Sequence, residues 1–429
     1  MSTVELEIYV YRRRNRAARG TLVGAVIAGT LASIVATGAP ANAATVKVKK
    51  AAPQATTPAP NLTALRTALQ AVVTAGAPGV FAQVQDGFGK STYTVSVGTG
   101  DIATKTAVNP AGEFRVGSIT KDFTAVIVLQ LVQTKKVNLD TVASAYLPAG
   151  TLPKGSPITV RELLNHTSGL YDYTNDLLTG DTVTGYQGFR NTVYQPQALV
   201  ADAVKHGQQF TPGSEYSYSN TNFVVLGLLI QHVTGLPYAT VLKQHLITPL
   251  HLNHTYFVVP QETIPGVHSI GYLTQDNPAL PMFDATNQTA SWLWSAGALI
   301  SSTSDLNTYL RALTTGKLLP AAEMTQMENT EFVNSTTRYG LGLREYELPC
   351  GVDVYGHDGI IEGYQTYAYT TKDGSRQVTI SANASNNMNI YASELLALTP
   401  VFCGTPATPA AKKLAVANAV QVAKEEVAG

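Results

Sequence analysis

From residue 61 onward the hydrophobic pattern switches between a helical and a strand period. LTALRTALQAVVTAG has apolar residues at helical spacing and ends on glycine, which predicts a helix. GVFAQVQDG and STYTVSVGTGD are β-rich and bounded by turn residues, so two strands are expected directly after it. From roughly residue 160 to 304 the pattern is mostly helical with long loops, as in TVRELLNH, PQALVADAVKHG and NTNFVVLGLLIQHVTG. VDVYGHDG, GYQTYAYTTKDG and RQVTISANAS return to strand, Lys372-Asp373-Gly374 marks a hairpin turn, and NIYASELLALTPVF closes as a helix. Strands at both ends of the core around a helical stretch predict an α+β fold.

The flanks differ in kind. YRRRNRAARG followed by TLVGAVIAGTLASIVATGAPANA is a basic segment, an apolar run and an Ala-Asn-Ala site. This pattern predicts an export signal over residues 1–43, cleavage after Ala43 and a secreted, extracellular protein. A retained membrane anchor is the competing reading, because the apolar run is near the lower limit for a bilayer span. Residues 44–60 read as a Pro/Ala-rich linker, 61–403 as the folded core, and 404–429 as a flexible tail whose Ala-rich end has marginal helical character.

Composition narrows the class. With 45% hydrophobic and 14% charged residues the core is globular rather than disordered. Residues 1–43 contain five arginines and two glutamates, so cleavage leaves 24 basic against 27 acidic side chains, a net charge of −3. That balance argues against a nucleic-acid partner. Cys350 and Cys403 are an even pair in a chain expected to be exported, which suggests a disulfide, with two free buried thiols as the alternative.

Three stretches carry candidate chemistry. In FRVGSITKDFTAVIVLQLV, Ser118 and Lys121 are three apart where an apolar helix begins, so they share a face. Burial there would desolvate the lysine and lower its pKa, letting it take the serine's proton, and the helix start would favour an oxyanion beside the serine. Taken alone, Ser-x-x-Lys also fits an exposed helix face. In EYSYSNTNFVVLGLLIQHVTG, Tyr218-Ser219-Asn220 precedes a second apolar helix, and capping by Asn220 or Asn222 is the plainer explanation. In VYGHDGIIEGY, His357-Asp358-Gly359 enters a strand whose glycines would let a substrate approach the backbone.

The order of these stretches, with ITVRELLNHTSGLYDYTND, SWLWSAGALISSTSDL and RYGLGLR between them, resembles the serine penicillin-recognising hydrolases. Within them, residues of about 61 to 403 are most similar to the secreted D-alanyl-D-alanine carboxypeptidases of actinomycetes, relatives of class C β-lactamases. The resemblance implies a β-lactamase/transpeptidase-like fold: a five-stranded antiparallel sheet flanked by helices, with an all-helical insertion at roughly 160–304. It implies Ser118 as acylated nucleophile, Lys121 as its base, Tyr218 as proton shuttle, Asn220 as orienter of the substrate amide, and His357 as electrostatic support for Tyr218. The N–H groups of Ser118 and Ile360 would form the oxyanion hole. Arg344 would bind a substrate carboxylate, and Trp292 would line the cleft, with Gly359 on its wall.

Two positions depart from that family. Threonines usually flank the glycine of the late motif and help hold the substrate carboxylate, but Asp358 and Ile360 stand here. Two like charges about 4 Å apart repel by roughly 4 kcal/mol at an effective dielectric of 20. Asp358 therefore opposes a carboxylate substrate, pairs with Arg344, or turns away if the strand twists. The expected activity is a D-Ala-D-Ala carboxypeptidase acting on cell-wall-type peptides as a monomer, without cofactor, and acylated by β-lactams. An esterase, D-amino-acid amidase or β-lactamase on the same scaffold, or a non-catalytic binder of wall peptides, is the alternative. His251 and His254 have a spacing seen in metal sites, but the glutamate of the metalloprotease motif is missing, so no metal is expected. The Gly-x-Ser-x-Gly elbow is absent, which disfavours an α/β-hydrolase triad.

Overall fold

The computed structural model describes residues 58–179, 182–277 and 279–426. The expected signal segment 1–43 and most of the 44–60 linker lie outside the described residues.

The first helix, α1 (Leu62–Thr74), starts where the Asn61 side chain accepts the Ala64 N–H at 2.9 Å. Leu65, Leu69 and Val72 recur at helical spacing and are buried, so one face is committed to the core. The chain then forms β1 (Gly79–Asp86) and β2 (Ser91–Asp101). After α2 (Thr120–Gln133), α3 (Asn220–Thr234) and α4 (Thr303–Thr314) come β3 (Arg344–Glu347), β4 (Asp353–Ile361), β5 (Tyr364–Thr371) and β6 (Gln377–Ala382). Two further helices, α5 (Met388–Phe402) and α6 (Pro409–Glu426), follow.

The main sheet is antiparallel throughout, in the order Thr106–Ala107, β2, β1, β6, β5, β4, β3, Thr337–Tyr339, Glu331–Phe332. It has nine strands where five were expected. The five long ones, β2-β1-β6-β5-β4, form its centre, and the additions are edge strands of two to four residues. Pieces that short carry no readable alternation. One sheet face, with Val80, Ala82, Val84, Tyr367, Tyr369, Val378 and Ile380, packs with α1 and α5 residues in one core. Phe81, Tyr355, Ile361 and Ala368 join a second core with α2, α3 and α4. Alternation along β1 thus serves two helical layers, each buried Val or Leu contributing about 1.5–3 kcal/mol.

Two boundaries differ from the sequence expectation. Helices occupy Val160 to Leu250, but short strands appear at Tyr256–Phe257, Tyr272–Leu273, Phe283–Asp284 and Leu299–Ser301, so the stretch to 304 is not all-helical. These strands pair with distant segments, such as Ala384–Ser385 and Phe114–Arg115, which local periodicity does not reveal. Within 404–429, expected as a flexible tail, α6 buries Ala411 and Ala415 and its Asn418 amide donates to Thr336 Oγ1 at 2.6 Å. Cys350 and Cys403 are disulfide-bonded, which ties the end of α5 to the turn before β4.

Candidate active site

Ser118 lies in the helical turn Gly117–Ile119 that runs straight into α2. Gly117 has φ of +51°, and a Cβ there would meet the Ile360 carbonyl at 2.4 Å. A Cβ on Gly359 would meet the Val116 carbonyl at 2.0 Å and the Ser118 nitrogen at 3.0 Å. Only paired glycines permit this backbone approach, which brings the Ser118 and Ile360 amides to one place.

Burial removes the exposed-face reading of Ser-x-x-Lys, since Lys121 is completely buried. Its Nζ donates to Ser118 Oγ at 2.8 Å, Asn220 Oδ1 at 2.8 Å and the Ala296 carbonyl at 2.9 Å. Three acceptors satisfy the three donors of an ammonium. A neutral amine can keep the Asn220 and Ala296 bonds and turn its lone pair to the serine hydroxyl. Tyr218 OH donates to the same Ser118 Oγ at 2.8 Å.

The second motif also resolves. Ser219 is the N-cap of α3, with no side-chain capping bond, so Asn220 and Asn222 are free of the capping role. Asn220 reaches Lys121, and its backbone N–H and Nδ2 donate to Asp172 Oδ2 at 2.8 and 3.0 Å. Asn222 bonds Ser168 and His166. Tyr218 stacks on His166, with centroids 4.2 Å apart. Asp172, which the sequence reading did not single out, and His166, expected only as part of a structured turn, are positioning residues within HTSGLYDYTND. His166 at φ of +60° is the backbone clue that follows only from the folded chain.

His357 is completely buried, and desolvation, then Arg344 and Lys121, push its pKa well below the ordinary range. The ring is neutral. Its Nδ1 donates to the Asp358 carbonyl, and its Nε2 pairs with Tyr339 OH at 3.0 Å. Tyr339 in turn packs edge-on against Tyr218. The positive charge near Tyr218 comes instead from Lys121, 4.8 Å from the ring centroid, and Arg344, 5.6 Å from it. The role expected of His357 as an electrostatic support therefore becomes a hydrogen-bonding one.

Arg344 and Asp358 form an ion pair, Nε to Oδ1 3.0 Å, with both side chains buried. Tyr369 OH donates to the same oxygen at 3.2 Å. Asp122, next to Lys121 on α2, is buried beside this pair, and desolvation followed by the Asp358 charge raises its pKa well above the usual carboxylate range. Trp292 does not join the Ser118 cluster: its ring packs edge-on against Phe189, its indole N–H donates to Gln288, and its carbonyl accepts Tyr173 OH at 2.6 Å. It buttresses the turn that carries Asp172. His254 bonds Glu113 at 2.9 Å, and His251 ends a helical turn in the left-handed conformation.

A nucleophile held between a buried amine and a phenol, beside two converging backbone amides, is an arrangement for acyl transfer. Known proteins resemble this chain over much of its length. A D-stereospecific amidohydrolase from Streptomyces sp. superposes with a TM-score of 0.72 at 35% identity, covering 81% of this chain and 100% of that one. The D-amino acid amidase of Ochrobactrum anthropi SV3 gives 0.69 at 26% identity, over 85% of this chain and 99% of that one. Protein flp of Staphylococcus aureus (strain COL) is 30% identical over 52% of this chain, and PbpX of Bacillus subtilis (strain 168) is 28% identical over 66%. The matches span 43% and 65% of the length of those two relatives. The Beta-lactamase family model matches residues 65–399, and the chain belongs to that family of serine hydrolases.

Proposed function

We propose that this protein is an exported serine acyl hydrolase whose preferred donors are D-amino-acid amides or esters with an uncharged leaving group. The Arg344–Asp358 ion pair is the observation that carries this reading. An arginine already neutralised by a buried carboxylate offers little to a second carboxylate, whereas an amide or ester makes no such demand. The D-stereospecific amidohydrolase and D-amino acid amidase among similar structures support it. A D-Ala-D-Ala carboxypeptidase is the second reading, favoured by the Arg344 guanidinium lying 5.6 Å from the Tyr218 ring.

Lys121 takes the Ser118 proton as Oγ bonds to the acyl carbon, and the Ser118 and Ile360 N–H groups hold the oxyanion. Tyr218 gives its proton to the leaving nitrogen or oxygen as the old bond breaks. Water then cleaves the Ser118 ester by the reverse proton path. Asn220, fixed by Lys121 and Asp172, orients the donor's amide. β-lactams are expected to acylate the same serine. The basic and apolar segment ending at Ala43 and the disulfide support export.

Intact mass after brief exposure to a penicillin tests the nucleophile: one adduct is expected on the native protein and none on Ser118→Ala. Rates on a D-Ala-D-Ala peptide, its C-terminal amide and a neutral ester then rank the donors. Faster cleavage of the free-carboxylate peptide would overturn the amide preference in favour of the carboxypeptidase.

A further inference from the structure

Beyond Ile360, the turn after β4 delivers a carboxyl group that the acyl-transfer steps do not use. Glu362 is 9% exposed. Its Oε2 has no hydrogen-bond partner among the described residues. Its carboxylate is held by its own backbone N–H, and its carbonyl accepts Gln288 Nε2 at 2.8 Å. An orphaned carboxylate oxygen at this depth is costly unless something pairs with it.

Glu362 lines a pocket of about 50 Å³ together with Ile360, Tyr186, Leu178, Leu273 and Thr182. A water needs roughly 10–15 Å³ of such space, so the pocket has room for about three to five water-sized groups. That suits a nitrogen, an α-carbon and a small side chain, and not a continuing peptide. Ile360 supplies an oxyanion N–H in the proposed mechanism, and Glu362 is two residues on, in the tight turn that joins β4 to β5. A carbonyl oxygen in the oxyanion hole would therefore put its α-amino group within reach of a glutamate side chain. Leu178, Leu273 and the Ile360 side chain supply apolar wall for a methyl group.

We propose that Glu362 forms the subsite for the protonated α-amino group of the acyl donor, so that the enzyme takes free-amino D-aminoacyl compounds in preference to N-acylated ones. This rests on the acyl-hydrolase reading of Ser118 and narrows its substrate class. An ammonium supplies both the charge and the donor that Oε2 lacks, whereas an N-acyl group brings bulk, a single N–H and no charge.

The test compares kcat/KM for D-alanine p-nitroanilide and N-acetyl-D-alanine p-nitroanilide, in the native protein and in Glu362→Gln. The native protein should favour the free amine by at least tenfold, and the ratio should fall at least tenfold in the variant. A native ratio near or below one overturns the ammonium subsite while leaving the acyl hydrolase standing. So does an unchanged ratio in the variant, which would mean that Oε2 holds only water. Because the ratio divides out loss of folded protein, a purely structural defect does not mimic the effect, and if the variant does not accumulate the native ratio decides alone. Failure of both anilides, a neutral ester and a penicillin to acylate Ser118 would remove the acyl-hydrolase reading and this proposal with it.

Discussion

The Ser118 cluster and the carboxyl groups around strand β4 lie side by side and are built on opposite rules. In the first, the lysine's three donors each have an acceptor, and Ser118 Oγ receives bonds from both Lys121 and Tyr218. Around β4, Asp358 Oδ2, both Asp122 oxygens and Glu362 Oε2 lack hydrogen-bond partners among the described residues. A satisfied network is rigid and ready for one reaction, whereas unsatisfied buried carboxyls lower stability and keep interaction capacity in reserve. In the proposed function the cluster carries the chemistry, and the groups around the strand carry the choice of donor.

The strongest break in this comparison is Lys121→Met. Methionine fills the buried stem but removes the base and all three hydrogen bonds. Turnover of any accepted donor should fall on the order of 10²–10⁴-fold, and the penicillin adduct should form correspondingly slowly. Steady-state kinetics and time-resolved mass measurements check both. A loss below tenfold would show that the network around Lys121 serves packing and that the serine is activated elsewhere.

Next in size is Asp358→Thr. It leaves the buried Arg344 without its carboxylate, which should cost about 3–5 kcal/mol in denaturant unfolding. The same change frees the guanidinium, so the rate ratio of a D-Ala-D-Ala peptide to its amide should rise more than tenfold, the equivalent of relieving about half of a 4 kcal/mol repulsion. Lower stability with an unchanged ratio would mean that Arg344 does not face the donor.

What the sequence made legible follows the same division. Ser118, Lys121, Tyr218, Asn220, His357 and Gly359 stood out locally as polar or small residues opening or interrupting periodic elements, but their roles came from the ordered resemblance, since each stretch alone fitted a plainer structural reading. Arg344 was placed by resemblance, but its pairing with Asp358 was one of several outcomes, since Arg344 and Gly356 face each other only once β3 and β4 are registered. Asp172, His166 and Tyr339 act across 48, 53 and 18 residues of chain, distances at which periodicity is silent. The edge strands and the packing of the tail helix, whose helical character was marginal in the sequence, were missed for the same reason, since partners far along the chain hold them. Glu362 had a usable signal in HDGIIEGY, where it sits two residues past the oxyanion residue and beside the turn glycine Gly363. What that pattern lacked was the pocket and the missing partner.

The smallest expected effect tests that reserve directly through protons. Burial raises the Glu362 pKa to about 7 from an exposed glutamate's 4.5. Between those values the folded protein holds a proton that the unfolded chain has released, so folding stability attributable to this group falls as pH rises. The loss is complete above about pH 7 and amounts to roughly 3 kcal/mol as an upper figure. Tyr186, the neighbour that feels the Glu362 charge, is itself pushed well above its ordinary pKa by burial and stays protonated throughout. Glu362→Gln cannot titrate, and any constant cost of the new amide cancels in a difference. The variant's unfolding free energy minus that of the native protein should therefore be lowest near pH 4.5, climb to pH 7 and then level off. A flat difference would mean that Glu362 is ionised and already paired in the free protein, which would move it from the reserved side of the comparison to the satisfied one.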